Sequence, residues 1–177
     1  MRLRSLELKD AELMLEWMHD DTVVHYLQTN FVDKTIHDCQ KFIDNSTKSD
    51  NDIHMAVVDD NDVYMGTVSL KNINSENAEF AITIRACAMG KGYSRYSMER
   101  IIEKGFDELN LKEIYWCVSP ENKRAVNFYE KSEFTCVDPL TINASLEYSS
   151  EQISKYIWYM ISYEEYRKRF KSDSLRK

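Results

Sequence analysis

Ala78-Glu79-Phe80-Ala81-Ile82-Thr83-Ile84-Arg85, followed by Met89-Gly90-Lys91-Gly92-Tyr93-Ser94, is the stretch that decides how this chain folds. From Asn77 to Arg85, Phe80, Ile82 and Ile84 alternate with Glu79, Ala81 and Thr83, the period of a strand with two different faces. The period then changes. Beginning near Ser94, the residues Met98, Ile101, Ile102, Gly105, Phe106 and Leu109 recur every three or four positions, which is one apolar stripe of a helix. Lys112 to Val118 is β-branched and aromatic again, so residues 79–118 read as strand, helix, strand. Such a unit is a right-handed crossover between parallel neighbours.

Working outward toward the start, Leu3 to Leu8 alternates weakly as a strand, and Lys9 to His19 carries Leu13, Met14 and Trp17 at helical spacing. His25 to Phe31 is irregular. Thr35 to Asn45 repeats the helical pattern through Ile36, Cys39, Phe42 and Ile43, and a polar loop follows from Asn45 to Asp52. Strands Ile53–Val58 and Val63–Leu70 flank Asp59-Asp60-Asn61-Asp62, a hairpin by length and residue type. Toward the end, Asn122–Lys131 reads as a short helix, Phe134–Val137 as the start of a strand and Tyr156–Ile161 as a last strand. Ser162-Tyr163-Glu164-Glu165 is a capping box that opens a basic helix to about Phe170.

Charge and composition exclude several functions. A chain of 177 residues with 43% apolar residues is sized for one domain, with no room for a second core. Its apolar runs are far shorter than the roughly 18–20 residues that cross a bilayer, and Met1-Arg2-Leu3-Arg4 opens no signal core, so no membrane partner and a cytoplasmic location are expected. Lys and Arg total 23 against 30 for Asp and Glu, a formal charge of −7, which argues against nucleic acid and suits a cationic partner. Cys39, Cys87, Cys117 and Cys136 form no C-x-x-C pair and have no His at ligand spacing. They read as buried or half-buried thiols in a reducing compartment, with no metal.

Two features carry chemistry. Gly90 and Gly92 let the backbone curl so that successive N–H groups point into one concavity at the positive end of a helix, which suits a phosphate or pyrophosphate, although such a turn also serves as a plain connector. No Gly-Lys-Ser/Thr closes it as a nucleoside-triphosphate loop, and a third glycine for a dinucleotide fingerprint is missing. Downstream, Asn122, Ala125 and Tyr129 share one face of the short helix, with Asn122 and Tyr129 about 10 Å apart along its axis. An extended thin ligand would fit along that face. A capping Asn122 with core Phe128 and Tyr129 accounts for the same pattern.

Taken together, Ala78-Glu79-Phe80-Ala81-Ile82, Gly90-Lys91-Gly92-Tyr93, Glu121-Asn122-Lys123-Arg124-Ala125, Phe128-Tyr129-Glu130-Lys131 and Phe134 resemble the GCN5-related N-acetyltransferase (GNAT) superfamily, in particular its ribosomal-protein N-terminal acetyltransferase-like branch. The resemblance implies a single α/β (α+β) GNAT domain over 1–177, with a mixed central sheet of about six or seven strands flanked by helices and a splayed parallel pair that binds the cofactor. Residues 1–72 would form the opening strand, two helices over the acceptor side and the hairpin. Residues 77–137 would form the acetyl-CoA-binding core, and 138–177 the last strand and basic helix. It implies acetyl-CoA as co-substrate, with Met89, Gly90, Lys91, Gly92, Tyr93 and Ser94 around its pyrophosphate. Thr83, Ile84 and Arg85 would offer backbone partners to the pantetheine arm, Asn122 would bond an arm amide, and Ala125 and Phe128 would line it.

Tyr129 would stand near the thioester sulfur as general acid, and Glu79 would serve as base or hold a water. The family usually has Gln or Arg at the position of Met89, Gly or Ala at Ser94, and Gly at Glu133. The acceptor would be an amine-bearing small molecule or a protein N-terminus, with Trp17, His25 and Tyr26 on its side of the fold, and the protein a monomer or homodimer. A nucleotide-amino-sugar acceptor and a non-catalytic acyl-CoA-binding module on the same fold are the competing readings.

Overall fold

The computed structural model describes residues 1–171. Its strands are β1 (Arg2–Ser5), β2 (Ile53–Val58), β3 (Tyr64–Lys71), β4 (Asn77–Ile84), β5 (Glu113–Val118), β6 (Cys136–Val137) and β7 (Ile157–Ser162). Its helices are α1 (Ala11–Met18), α2 (Asp21–Val24), α3 (Ile36–Ser46), α4 (Tyr93–Glu103), α5 (Lys123–Lys131), α6 (Ser150–Lys155) and α7 (Tyr163–Tyr166). The seven strands form one sheet in the order β1-β2-β3-β4-β5-β7-β6. Every neighbouring pair is antiparallel except β4 and β5, as the strand–helix–strand reading requires.

Local chemistry explains the elements. In the hairpin between β2 and β3, the Asp59 carboxylate accepts from the backbone N–H of Asn61 at 2.9 Å and of Val63 at 2.8 Å, and Asp62 turns the chain at φ 65°. Capping boxes open α3 (Thr35 with Asp38), α6 (Ser149 with Gln152) and α7 (Ser162 with Glu165), so two of the free N–H groups at each start are bonded. Alternation along the strands then divides the core. Val57, Phe80, Ile114 and Trp116 pack under α4 and α5, whereas Ala56, Val58 and Tyr64 pack with Met14, Trp17 and Cys39 of α1 and α3. Tyr115 and Trp158 face a third apolar group that includes Ile142 and Tyr148, from the chain between β6 and β7. At Gly66, an added Cβ would stand 2.3 Å from the Thr83 backbone carbonyl oxygen, so this close approach of β3 to β4 needs a glycine.

Several expectations are corrected. The helical stripe past Glu103 continues as one π-helical turn, Lys104–Glu108, before Leu109. Strand β6 begins at Cys136 rather than Phe134, because the Phe134 N–H closes the end of α5 on the Tyr129 carbonyl at 3.1 Å. Short α2 and α6 lie in stretches too brief or too polar to show a period. Cys39 is buried and Cys117 half-buried, but Cys87 and Cys136 are exposed, one in the turn after β4 and the other on the outermost strand. The last six residues of the expected unit 138–177 lie outside the described residues. Among the described residues, no helix is long and apolar enough to cross a membrane.

Candidate functional site

Strands β4 and β5 pair over three residues only, Asn77, Ala78 and Glu79 with Glu113, Ile114 and Tyr115. Beyond that point each strand stays with its outer neighbour, β4 with β3 as far as Ile84 and β5 with β7 as far as Val118. A cleft therefore opens from Phe80 and Trp116 onward. The Arg85 N–H bonds the Met65 carbonyl at 2.9 Å, so every second residue back along β4, Thr83 included, directs its backbone groups toward β3. Ile82 and Ile84 direct theirs into the cleft. Of the three residues expected to partner a pantetheine arm, Ile84 directs its backbone groups into the cleft, as Ile82 does, whereas Thr83 and Arg85 direct theirs toward β3. The Arg85 side chain is also committed, bonding Glu16 at 2.9 Å and the Tyr64 carbonyl at 2.8 Å.

At the mouth of the cleft, the chain turns through Gly90 at φ 74° and Gly92 at φ 88° into α4. Gly92 is the N-cap and has no side chain with which to cap the helix. The first helical bond, from the Tyr96 N–H to the Gly92 carbonyl, leaves the N–H groups of Gly92, Tyr93, Ser94 and Arg95 without an intrahelical partner. A Cβ on either glycine would meet nothing within 4 Å, so backbone conformation, not crowding, calls for glycine here. Four free donors at a helix N-terminus fit a pyrophosphate. Met89 is not available in the same way, since its N–H bonds the Ala86 carbonyl at 3.2 Å. Its side chain instead packs against both the α4–α5 core and the α1–α3 core, which accounts for an apolar residue there. Lys91 is exposed on the turn.

On the other lip, the Asn122 Oδ1 caps α5 by accepting from the Ala125 N–H at 3.1 Å. Its amide Nδ2 bonds no described residue, so capping and ligand binding are compatible at this side chain. Tyr129 is buried against Trp116, Phe128 and Tyr159, with ring centroids at 5.5, 5.3 and 5.1 Å. No described residue bonds its hydroxyl. The sealed side-chain polar atoms without a partner belong to Ser97, Trp116, Ser132 and Tyr159, not to Tyr129, so its hydroxyl reaches accessible space. Burial holds the phenol well above its ordinary pKa, so it stays protonated. Helix α5 ends in a Schellman turn with Glu133 at φ 59°, which is why glycine is usual at this position. Below the cleft, a cavity of about 340 Å³ between α4 and α5 is lined by Arg95, Met98, Phe128, Lys131 and Arg169 among others, and includes neither Glu79 nor Tyr129.

Glu79 closes the parallel ladder and is 5% exposed. Its Oε1 accepts from Lys71 at 3.1 Å and from the Tyr148 hydroxyl, while Oε2 has only Asn72 at 3.4 Å. Cys117 stands beside Tyr148 and accepts from Gln28 at 3.6 Å. Burial pushes its thiol up to about 11. Lys71, Tyr148, Cys117 and Gln28 are the residues that sequence reasoning missed. The pairing of Lys71 with Glu79 follows from the β3–β4 register and was open to inference, but Tyr148 lies in an aperiodic stretch and carried no signal.

Of the three acceptor-side residues, Trp17 is a core residue, buried and donating its indole N–H to the Tyr64 hydroxyl at 3.0 Å, with Phe31 packed edge-on against it. It has no exposed face for a ligand. His25 and Tyr26 are exposed and pack edge to face at 4.7 Å.

The family model described as acetyltransferase (GNAT) domain matches residues 1–135. The chain is 29% identical over 139 residues to the uncharacterized N-acetyltransferase p20 of Bacillus licheniformis, covering 76% of this chain and 78% of that protein. It is 28% identical over 147 residues to the spermidine N(1)-acetyltransferase of Escherichia coli K12, covering 76% and 73%. Among solved structures, the spermidine N-acetyltransferase of Vibrio cholerae in complex with CoA and spermine superposes with a TM-score of 0.75 at 24% identity, over 93% of this chain and 96% of that one. Two of these three proteins are spermidine acetyltransferases, and none of them shows the ribosomal-protein branch for this chain.

Proposed function

The chain belongs to the GNAT acetyltransferase family and is an acetyl-CoA-dependent N-acetyltransferase; from that premise we propose that it acetylates a primary amine of a small polycation, spermidine first, with Glu79 and Tyr129 acting from the two lips of the cleft. The observation that carries this reading is the parting of β4 and β5 immediately beyond Glu79 and Tyr115. The base candidate stands where the ladder ends, and a buried phenol with an unbonded hydroxyl stands on the opposite lip.

The residues present fit acetyl-CoA. The free N–H groups of Gly92 to Arg95 would hold its pyrophosphate, and the backbone of Ile82 and Ile84, with Asn122 Nδ2, would bond the amides of its arm. When bound, acetyl-CoA supplies a thioester carbonyl at which the N–C bond forms and the C–S bond breaks, giving an amide and CoA thiol. At neutral pH only about one alkylamine in 10³ is neutral, so an acceptor for the ammonium proton is required. Glu79 takes that proton at Oε2. The Tyr129 hydroxyl donates to the sulfur as negative charge develops there. A cationic acceptor suits the formal charge of −7 and the exposed aromatic pair His25 and Tyr26 at the end of α2.

The test is a thermal-shift titration with acetyl-CoA followed by an amine screen read by mass spectrometry, containing spermidine, spermine, peptides with free α-amines and nucleotide-linked amino sugars. A ligand at a hundredfold excess over Kd stabilises the native state by about 2.7 kcal/mol. Spermidine is expected to gain an acetyl group. Acetylation of the peptides or amino sugars alone would replace the acceptor, and a chain that binds acetyl-CoA yet modifies no amine would be a non-catalytic module.

A further inference from the structure

The segment between β6 and β7 is tied to the start of β4. The Asn77 amide, on a residue only 2% exposed, donates to the Asn143 carbonyl at 2.6 Å, and Asn143 in turn donates to Glu76 at 3.2 Å. Ile142 packs with Trp158 in the core beneath this segment, and the Tyr148 ring meets Trp158 edge-on at 5.2 Å. These contacts aim the Tyr148 hydroxyl at Glu79, a residue 69 positions away in sequence.

We propose that Tyr148 is a positioning residue for the base: its hydroxyl, together with the Lys71 ammonium, fixes Oε1 of Glu79 and leaves Oε2 as the oxygen that receives the proton. This rests on Glu79 being the base, as proposed above. In the step concerned, an N–H bond of the acceptor ammonium breaks, its electron pair stays on nitrogen, and the proton forms an O–H bond at Oε2. Both strong donors to the carboxylate converge on Oε1, and the single contact at Oε2 is the long one to Asn72. Glu79 is faced by Lys71 from β3, Tyr115 and Cys117 from β5, and Tyr148 from the covering segment; Glu147 stands near Tyr115, and His54 has Lys71 and Asp52 as charged neighbours. Tyr148 is itself no acid at neutral pH, because burial and the neighbouring Cys117 and Glu79 push its phenol far upward. It can only donate a hydrogen bond.

The experiment titrates carbon-13-labelled glutamate by NMR, with the Glu79 signal identified by its loss in E79Q, and follows the acid limb of kcat/KM with spermidine or the amine that the screen supplies. In Y148F the carboxyl titration and the acid limb are expected to move up together by about one to two pH units, the worth of a hydrogen bond to a charged group. Above the limb, kcat should return to within a few-fold of the wild type. A structural role would lower kcat at every pH and leave the limb in place, and that result overturns the proposal. Y148F keeps the ring against Trp158. Should it fail to fold, difluorotyrosine at position 148 keeps the shape and strengthens the donor, and the limb must then move down; an unmoved limb again overturns the proposal. If E79Q keeps a native pH profile, Glu79 is not the base and the reading of function fails first, whatever Y148F does.

Discussion

Replacing Tyr129 by Phe removes one hydroxyl from a buried ring and separates a catalytic role from a packing role. The hydroxyl makes no hydrogen bond to any described residue, so its loss removes no native bond, and the ring keeps its contacts with Trp116, Phe128 and Tyr159. The melting temperature should therefore stay within about 2 °C, whereas loss of a bonded buried hydroxyl would lower it by more. The size of the kinetic effect depends on whether the phenol gives up its proton or only donates a hydrogen bond. Burial holds the phenol well above its usual range, while the nearby Cys117 thiol is pushed up to about 11. A thiolate in the same surroundings is the weaker base of the pair, so full transfer from Tyr129 runs uphill. Hydrogen bonding to developing charge contributes about 1.5–3 kcal/mol, so kcat should fall roughly 10- to 150-fold, with the Kd for acetyl-CoA unchanged within a few-fold. The assay is turnover of the identified amine, with CoA release followed on the preparation used for melting and binding. A fall beyond about 10³-fold would mean that the phenol transfers its proton. A near-native kcat would remove Tyr129 from the chemistry.

Gly92→Ala places a side chain at φ 88°, where the cost is about 1–2 kcal/mol with no steric clash. Relaxation of that backbone turns the free N–H groups away, so CoA affinity should fall at least tenfold while turnover of acetyl-pantetheine, which has no pyrophosphate, is spared. Equal effects on both ligands would show that the phosphates bind elsewhere. Glu133→Gly relieves a left-handed residue at φ 59° and should raise the melting temperature by about 1–4 °C after the entropy cost of glycine in the unfolded chain; a lower value would contradict the strain. Asp62 is held at about 2, below its ordinary 3.8, chiefly by Lys9 and then Arg4. Its stabilisation is complete above about pH 5 and disappears as pH falls through 2 toward about 1. Asn tolerates the φ of 65° at this position, so D62N should melt lower than the wild type at pH 7, with the gap closing as pH falls through 2 toward about 1, as read by melting curves across that range.

Features written in consecutive residues were legible. The alternation of Phe80, Ile82 and Ile84, the glycine turn at 90 and 92, the stripe from Met98 to Phe106 and the Ser162–Glu165 capping box each depend on neighbours in the chain, and the structure has them. The seven-residue spacing put Asn122 and Tyr129 on one face of α5, and the resemblance added the roles expected of them. Features that depend on register or on distant contact were not legible. Which residues of β4 address the cleft follows from one bond between Arg85 and Met65, and alternation alone does not say which parity faces β3. Trp17 looked available because an aromatic in an acidic helix–loop stretch can meet a cation, yet its indole N–H closes on Tyr64, far along the chain. Tyr148 belongs to a stretch with no period at all, and the Asn77–Asn143 tie and its packing on Trp158 bring it to Glu79.

The same topology explains why those distant ties matter to the chemistry. Strands β1 to β4 with α1 and α3 form one flank of the cleft, and β5 to β7 with α5 form the other. Along the sheet the two flanks share a ladder of three residue pairs. Glu79 belongs to the first flank and Tyr129 to the second, so their separation is set by whatever joins the flanks near the mouth. On the acceptor side those joints are Asn77 with Asn143, Glu79 with Tyr148, and Gln28 with Cys117, each running from the first flank to β5 or to the segment before β7. The glycine turn is fixed separately, by Met89 wedged between two cores. Glu79 and Tyr129, the proposed proton acceptor and sulfur partner, are thus positioned by contacts that a single strand pair cannot supply. The covering segment between β6 and β7 thus belongs to the proposed site through the Tyr148–Glu79 bond, although none of its residues belongs to a recognisable motif.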